Sequence, residues 1–155
     1  MLSYFYKCNT KSEKGLKTNG LNLQGKTVVV VEDDLPSAKY YETLLRNTGS
    51  GIKLFRNGKD FVDFITTTRE KPDLVFMDFL VPLVNGIECT RILRKSFKNV
   101  PVIMITGYAS DQMKKEAFLA GCNEYVLKPI YPEKFLFILE KFLITETAFS
   151  GSDLT

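Results

Sequence analysis

Short apolar runs alternate along this chain with longer stretches in which apolar residues recur every three or four positions. The runs are Lys26 to Val31, Ile52 to Phe55, Asp73 to Asp78, Pro101 to Thr106 and Glu124 to Leu127. They are too short for ordinary helices, and their continuous apolar character suits strands buried on both faces of a parallel sheet. The intervening stretches predict helices with Ala38, Tyr41, Leu44 and Leu45 inward, then Phe61, Val62, Phe64 and Ile65, then Ile87, Ile92 and Leu93, then Ala117 and Ala120. A last helix from Pro132 to Leu143 places Phe135, Ile138, Leu139 and Phe142 on its inner stripe. Punctuation agrees: Asp34 before Pro36 and Ser110 read as N-caps, while Gly49 and Gly121 read as stops. Five strand–helix alternations predict right-handed crossovers and one parallel sheet covered on both faces.

A chain of 155 residues, 45% of them hydrophobic, is one domain of common size with a genuine core. Residues 1–25 are expected to be a polar basic tail or linker, 26–143 the folded domain and 144–155 a C-terminal tail. The formal charge of +3 resides in the first segment, where Lys7, Lys11, Lys14 and Lys17 face only Glu13. The remainder carries equal numbers of basic and acidic side chains, which argues against a nucleic-acid face. Three scattered cysteines, Cys8, Cys89 and Cys122, suit neither a disulfide framework nor a metal knuckle, so a reducing cytoplasm is the expected location. No apolar run approaches the length of a membrane helix, and no membrane contact is expected. The absence of histidine removes imidazole bases and Ser-His or Cys-His pairs from the chemistry available.

The segment Gly20 to Thr27 matches the phosphate-binding pattern GxxxxGK[ST], but a linker precedes it and a β-branched run follows. That reverses the strand–loop–helix order on which phosphate binding depends, and the match is expected to be accidental.

The residues that end the strands carry the candidate chemistry. Glu32, Asp33 and Asp34 follow the first, Asp78 ends the third, Thr106 ends the fourth and Lys128 follows the fifth. In open parallel sheets ligands bind at the carboxyl ends of the strands, so these side chains converge on one edge. Taken alone, Asp78 could equally cap the turn after its strand. Together, carboxylates from two strands offer hard oxygen ligands to Mg²⁺ with positions left for water and a phosphoryl oxygen. A lysine and a hydroxyl complete a clamp for phosphoryl transfer, with Asp78 as nucleophile.

On these residues the chain resembles the receiver domain of two-component response regulators. The signs are Val-Glu32-Asp33-Asp34, Met-Asp78 followed by Pro82 and Gly86, Ile-Thr106-Gly107, and Tyr125 three residues before Lys128-Pro129. The resemblance implies a flavodoxin-like, doubly wound α/β fold, (βα)5, with a five-stranded parallel sheet of order 2-1-3-4-5, the order the chemotaxis member of this family illustrates. It further implies that Asp78 takes a phosphoryl group from the phosphohistidine of a histidine kinase or histidine phosphotransfer domain, so the domain is a signalling phosphoacceptor rather than an enzyme acting on other substrates. Asp33, Asp78 and the Leu80 main-chain carbonyl would hold Mg²⁺, with Glu32 bound through water. Thr106 and Lys128 would hold the phosphoryl group, and Tyr125 would change rotamer with Thr106 as the switch. Lys128-Pro129 resembles the family's cis peptide. Val81 stands where the family usually has Met, a volume-tolerant change, and Gly107 where it commonly has Ala, which keeps the small side chain that phosphoryl access needs.

Two other readings compete. A magnesium phosphatase of the haloacid dehalogenase class would need a second acid two residues after the nucleophile, where Leu80 stands. A degenerate partner-binding receiver would lack Asp78, the acidic pair or Lys128, and all are present. No output domain follows Leu143, so a DNA-binding regulator is not expected, and the Leu-Gln-Gly25-Lys lead-in also resembles the junction to a receiver fused to a histidine kinase. A stand-alone regulator and a hybrid-kinase receiver both remain open. Phe137 and Ile144 fall on the outer side of the last helix, a surface suited to kinase docking or self-association. Leu80 and Tyr108, two residues beyond nucleophile and hydroxyl, flank the approach of a hydrolytic water and predict a long-lived aspartyl phosphate.

Overall fold

Val28 to Val31 are each at most 1% exposed, and that continuous burial is possible only for a strand covered on both faces. In the computed structural model, which describes residues 20–144, they form β1 (Thr27–Val31) at the heart of a five-stranded parallel sheet. The chain continues through α1 (Leu35–Arg46), β2 (Gly51–Phe55), α2 (Gly58–Thr67), β3 (Leu74–Asp78), α3 (Gly86–Ser96), β4 (Val102–Thr106), α4 (Asp111–Ala120), β5 (Glu124–Leu127) and α5 (Pro132–Leu143). Sheet order is β2-β1-β3-β4-β5, the doubly wound arrangement expected. The chain leaves β1 outward to β2 and then crosses back to β3, so the sheet splits its connections between β1 and β3 and opens a crevice there.

Two cores follow from the pleat. Val29, Val31, Val75, Met77, Val102 and Met104 point to the α2–α3–α4 side, against Phe61, Ile65, Leu93 and Ala117. Val28, Val30, Leu74, Phe76, Ile103 and Ile105 point to the α1–α5 side, against Tyr41, Leu45, Phe135 and Ile138. In the second, Phe135 stacks between Phe76 at 4.5 Å and Tyr41 at 5.6 Å between ring centroids. Burial of each such ring contributes roughly 1.5–3 kcal/mol.

Four of the five helices start where a side chain satisfies a free N–H group, and α5 opens on Pro132 without one. Asp34 accepts from Ser37 N, Asn57 from Asp60 N, Asn85 from Glu88 N and Ser110 from Met113 N. Gly121 ends α4 in the left-handed region at φ +106°.

The packed chain begins before Lys26. Leu23, assigned by the sequence to the polar lead-in, is 2% exposed on the α1–α5 side and its N–H donates to Thr48 O at 2.8 Å. Lys26 then pairs with Asp73 at 3.5 Å as the chain enters β1. The Gly20 to Thr27 segment therefore leads into a strand, with no helix N-terminus after Lys26. The expected tail up to residue 19 and the segment beyond Ile144 lie outside the described residues, as does Cys8. Cys89 and Cys122 are free thiols in the interior.

Candidate functional site

Strand register brings the chemistry together. Val31 pairs with Met77, so Glu32 emerges beside Asp78; Asp78 pairs with Ile105, so Thr106 follows one step on; Thr106 pairs with Leu127, so Lys128 completes the row. All lie at the carboxyl end of the sheet, at the β1/β3 crevice and along its rim.

Lys128 is the hub. Its Nζ donates to Glu32 Oε2 at 2.7 Å and to Asp78 Oδ2 at 2.9 Å. Asp78 Oδ1 accepts from Leu80 N at 3.2 Å, and Glu32 Oε1 accepts from Asp34 N at 3.1 Å. Burial pushes the Glu32 carboxyl above its usual range, and nearby Asp78 adds to that effect against the pull of Lys128. Burial acts the other way on Lys128, but its bonds to Glu32 and Asp78 outweigh it and hold the ammonium above its ordinary value. The upward shifts of the two partners thus have different origins, desolvation for the acid and pairing for the base. We take Lys128 as charged.

Glu32, Asp33 and Asp78 each offer a carboxylate oxygen within 4.8 Å of the others. Glu32 and Asp78 are buried and Asp33 is exposed, so the set opens to solvent on one side. Three carboxylates against a single ammonium leave an excess negative charge that a divalent cation would balance, and an all-oxygen donor set suits a hard ion such as Mg²⁺. The residues present fit that ion.

Thr106 is fully buried, and its Oγ1 accepts from Tyr108 N at 3.2 Å. Its carbonyl accepts from Lys128 N at 2.8 Å, which continues the ladder and fixes where the lysine leaves the strand. The Lys128–Pro129 peptide is cis, as the resemblance implied. Tyr125 stands apart from the carboxylates: its hydroxyl donates to the Tyr108 carbonyl at 2.8 Å. Leu80 and Tyr108 stand at the rim, 48% and 56% exposed. Beside Lys128, Tyr40, Tyr41, Pro129 and Ile130 line an open groove of about 400 Å³ between α1 and the loop after β5.

Three features of the site emerge only once the chain is folded. Arg56, after β2, donates through Nε at 3.1 Å and through Nη2 to the Asp33 carbonyl, tying the first loop to the second. A Cβ on Gly86 would lie 2.3 Å from the Asp78 carbonyl oxygen, and one on Gly58 only 1.8 Å from that of Val84. The loop after β3 is thus pressed between two helix starts. Leu83 in that loop has φ +72°, at the centre of a three-residue turn that Val84 N closes on Pro82 O at 3.0 Å.

A doubly wound sheet whose strand ends gather an acidic cluster, a buried hydroxyl and a lysine defines a class of signalling domain built on the flavodoxin-like fold. The chain belongs to the response regulator receiver domain family, which matches residues 28–140. It is a receiver domain of two-component phosphorelay signalling. A polar-differentiation response regulator, DivK, of Brucella anthropi is 30% identical over 120 residues, covering 76% of this chain and 96% of that protein. Hybrid signal transduction histidine kinase M of Dictyostelium discoideum is 31% identical over 124 residues, 77% of this chain, but the chain spans only 5% of its length. The receiver domain of a sensor histidine kinase of Pseudomonas aeruginosa PAO1, solved with a magnesium ion coordinated in the active site cleft, superposes with a TM-score of 0.69 at 27% identity, covering 77% of this chain and 98% of that one. Receiver domains work with histidine kinases or phosphotransfer partners. No helix among the described residues is long and apolar enough to cross a membrane.

Proposed function

We propose that Asp78 is the phosphoacceptor and that the domain promotes its own phosphorylation, from the phosphohistidine of a kinase or phosphotransfer domain or from a small phosphodonor. The observation that carries this reading is the Asp78 carboxylate itself: it is buried at the switch point, 2.9 Å from Lys128 and grouped with Glu32 and Asp33. In the transfer an Asp78 oxygen forms a bond to phosphorus as the donor's N–P bond breaks, and the imidazole keeps that electron pair. Lys128 stays charged and faces the phosphoryl oxygens. The Thr106 hydroxyl, which accepts from Tyr108 N, keeps its own proton to donate to a phosphoryl oxygen.

In this reading Asp33, Asp78 and the Leu80 carbonyl would hold Mg²⁺, with Glu32 reaching it through water. When bound, the ion neutralises charge that gathers on the phosphoryl oxygens. Tyr125 leaves the Tyr108 carbonyl as Thr106 engages the phosphoryl group, and this movement is the signal. The location is cytoplasmic, and kinship to hybrid-kinase receivers supports a phosphorelay role. Phe137, 54% exposed on α5, is the centre of a surface for self-association or kinase docking.

Intact-mass measurement after incubation with phosphoramidate and Mg²⁺ should show one added phosphoryl group. Retention of that group in Asp78→Ala or in EDTA would overturn the assignment. Phe137→Ser should leave phosphorylation intact and weaken any dimer seen by sedimentation; unchanged association and kinase transfer remove α5 from the reading.

A further inference from the structure

We infer that Arg56 is a positioning residue for the metal site: its guanidinium fixes the main chain that carries Asp33, so Mg²⁺ affinity depends on it while phosphoryl transfer at saturating Mg²⁺ does not. This rests on the reading of Asp33 and Asp78 as Mg²⁺ ligands at the phosphoacceptor site.

Asp33 is the least supported member of the acidic set. Glu32 and Asp78 are buried and tied to Lys128, whereas Asp33 is exposed. The backbone on either side of it is held nonetheless. Before it, Glu32 N donates to Phe55 O at 3.0 Å. After it, a single peptide is gripped at both ends: Asp34 N donates to Glu32 Oε1 at 3.1 Å, and the Asp33 carbonyl accepts from Arg56 Nε at 3.1 Å and from Arg56 Nη2. Asp33 therefore stands between two fixed peptides, and the direction of its carboxylate is restricted before any ion arrives.

The chemistry of the Arg56 bonds fits this role. Arg56 is exposed, one residue ahead of the Asn57 cap of α2, in a mouth that holds the exposed carboxylates of Asp33 and Asp34. Holding an exposed arginine in one rotamer costs entropy, and a guanidinium beside carboxylates ordinarily pairs with one of them. Here its fork gives two donors to one neutral oxygen and fills both lone pairs. The Asp33 carbonyl is thereby closed to a cation, and its carboxylate is what remains to offer. The same grip polarises the peptide, which strengthens the Asp34 N–H bond to Glu32 Oε1 and leaves Glu32 Oε2 for Lys128.

Charge and position pull in opposite directions. A guanidinium beside the site repels Mg²⁺, so its loss would tighten binding, but at a mouth open to water that repulsion is screened to roughly a few-fold. Loss of an outer support of a metal ligand weakens binding about tenfold to a hundredfold. Position outweighs charge, and the sign of the change on substitution separates the two.

Amide chemical shifts of ¹⁵N-labelled protein, followed through a Mg²⁺ titration, give the dissociation constant for wild type, for Arg56→Ala and for Arg56→Lys, which keeps the charge without the fork. The control is Arg69→Ala, an exposed arginine between α2 and β3 at the other end of the sheet. Expected are dissociation constants raised about fivefold or more in both Arg56 variants and unchanged in Arg69→Ala. In metal-free protein the Asp34 amide should exchange faster in both Arg56 variants while β3 keeps its protection. Phosphoramidate labelling should need proportionally more Mg²⁺ to reach half its maximal rate, with that maximum within about twofold of wild type. Wild-type affinity in either Arg56 variant, tighter binding in Arg56→Ala or unchanged Asp34 exchange overturns the inference. So does a maximal rate that falls as far as the affinity, or a wild type that binds no Mg²⁺. A wild type that binds Mg²⁺ but takes no label on Asp78 is the separate failure of the phosphoacceptor reading.

Discussion

Tyr125 and Thr106 hold the same residue from two sides. The Tyr125 hydroxyl donates to the Tyr108 carbonyl at 2.8 Å, while Thr106 Oγ1 accepts from the Tyr108 N–H at 3.2 Å. The loop after β4 is therefore pinned at one residue by a buried hydroxyl beneath and an aromatic hydroxyl beside it. Release of either bond frees the peptide that the other holds. In Tyr125→Phe the loss should be about 1 kcal/mol or less, because water can reach the freed carbonyl. The readout is amide exchange: the Tyr108 N–H should exchange faster in the variant, while β4 amides keep their protection. Unchanged exchange at Tyr108 would show that Tyr125 does not restrain the loop.

The ion pairs at the far end of β5 predict a pH dependence. Glu124 accepts from Lys134 at 2.8 Å and Lys141 at 3.1 Å. Burial alone would raise its carboxyl, but the two lysines outweigh burial and hold it below its ordinary 4.5. A lowered carboxylate contributes stability that is present above 4.5 and lost as pH falls through the lower folded value. Glu124→Gln should thus melt below wild type at pH 7, by about 1 kcal/mol or less given the exposed lysines, and the gap should close in acid. A gap that persists or widens at low pH contradicts the pairing.

Two glycines near the site should respond differently to alanine. Gly86→Ala places a Cβ 2.3 Å from the Asp78 carbonyl oxygen, so α3 or the end of β3 must move. A cost of about 3 kcal/mol and slower phosphorylation are expected. Gly107 has nothing within 4 Å of such a Cβ, and Gly107→Ala should be neutral in both measurements. Thermal melts and phosphoramidate labelling of the pair decide this; equal effects would refute the packing argument.

Phosphoryl lifetime turns on two residues at the rim of the site. Leu80 offers a water no side-chain hydrogen bond, and Tyr108 is held at the rim by its main chain. Decay of the phosphorylated protein should be slow for wild type and faster for Leu80→Asn, where an amide can orient water, and for Tyr108→Ala, where a cover is removed. If neither substitution accelerates decay, these positions do not govern the water.

Interior thiols supply a simple check on packing. Burial pushes Cys89 up to about 12 and Cys122 up to about 11, so neither forms thiolate at neutral pH. In native protein both should resist iodoacetamide and react only on unfolding, as peptide mapping would show. Rapid native alkylation of Cys89 would place it outside the interior.

What the sequence disclosed was local. Valine runs buried on both faces, Asp34 beside Pro36 and the charged residues at strand ends announce strands, a helix start and a site, because each depends on neighbours in the chain. What it withheld depends on distant chain segments meeting. Leu23 looks like part of a polar lead-in until Thr48 supplies its hydrogen-bond partner. Arg56 becomes a brace only because β2 ends beside Asp33. At Gly58 it is the approach of Val84, from another loop, that makes a larger residue impossible. The outer position of Phe137 was legible from helical spacing, since a single helix fixes its own faces.

At the pole of the sheet opposite Asp78, Arg94 of α3 reaches Gly121 O at 2.7 Å, Val100 O at 2.7 Å, Phe97 O at 3.3 Å and Asn123 Oδ1 at 3.0 Å. These acceptors are all neutral, unlike the carboxylates that face Lys128. Dissolved salt shields exposed ions from ions but scarcely touches a bond to a carbonyl, so this brace does not depend on ionic strength. Brine should loosen the exposed lysines that pair with Glu124 nearby while the Arg94 joint keeps its shape, like a weld among bolts.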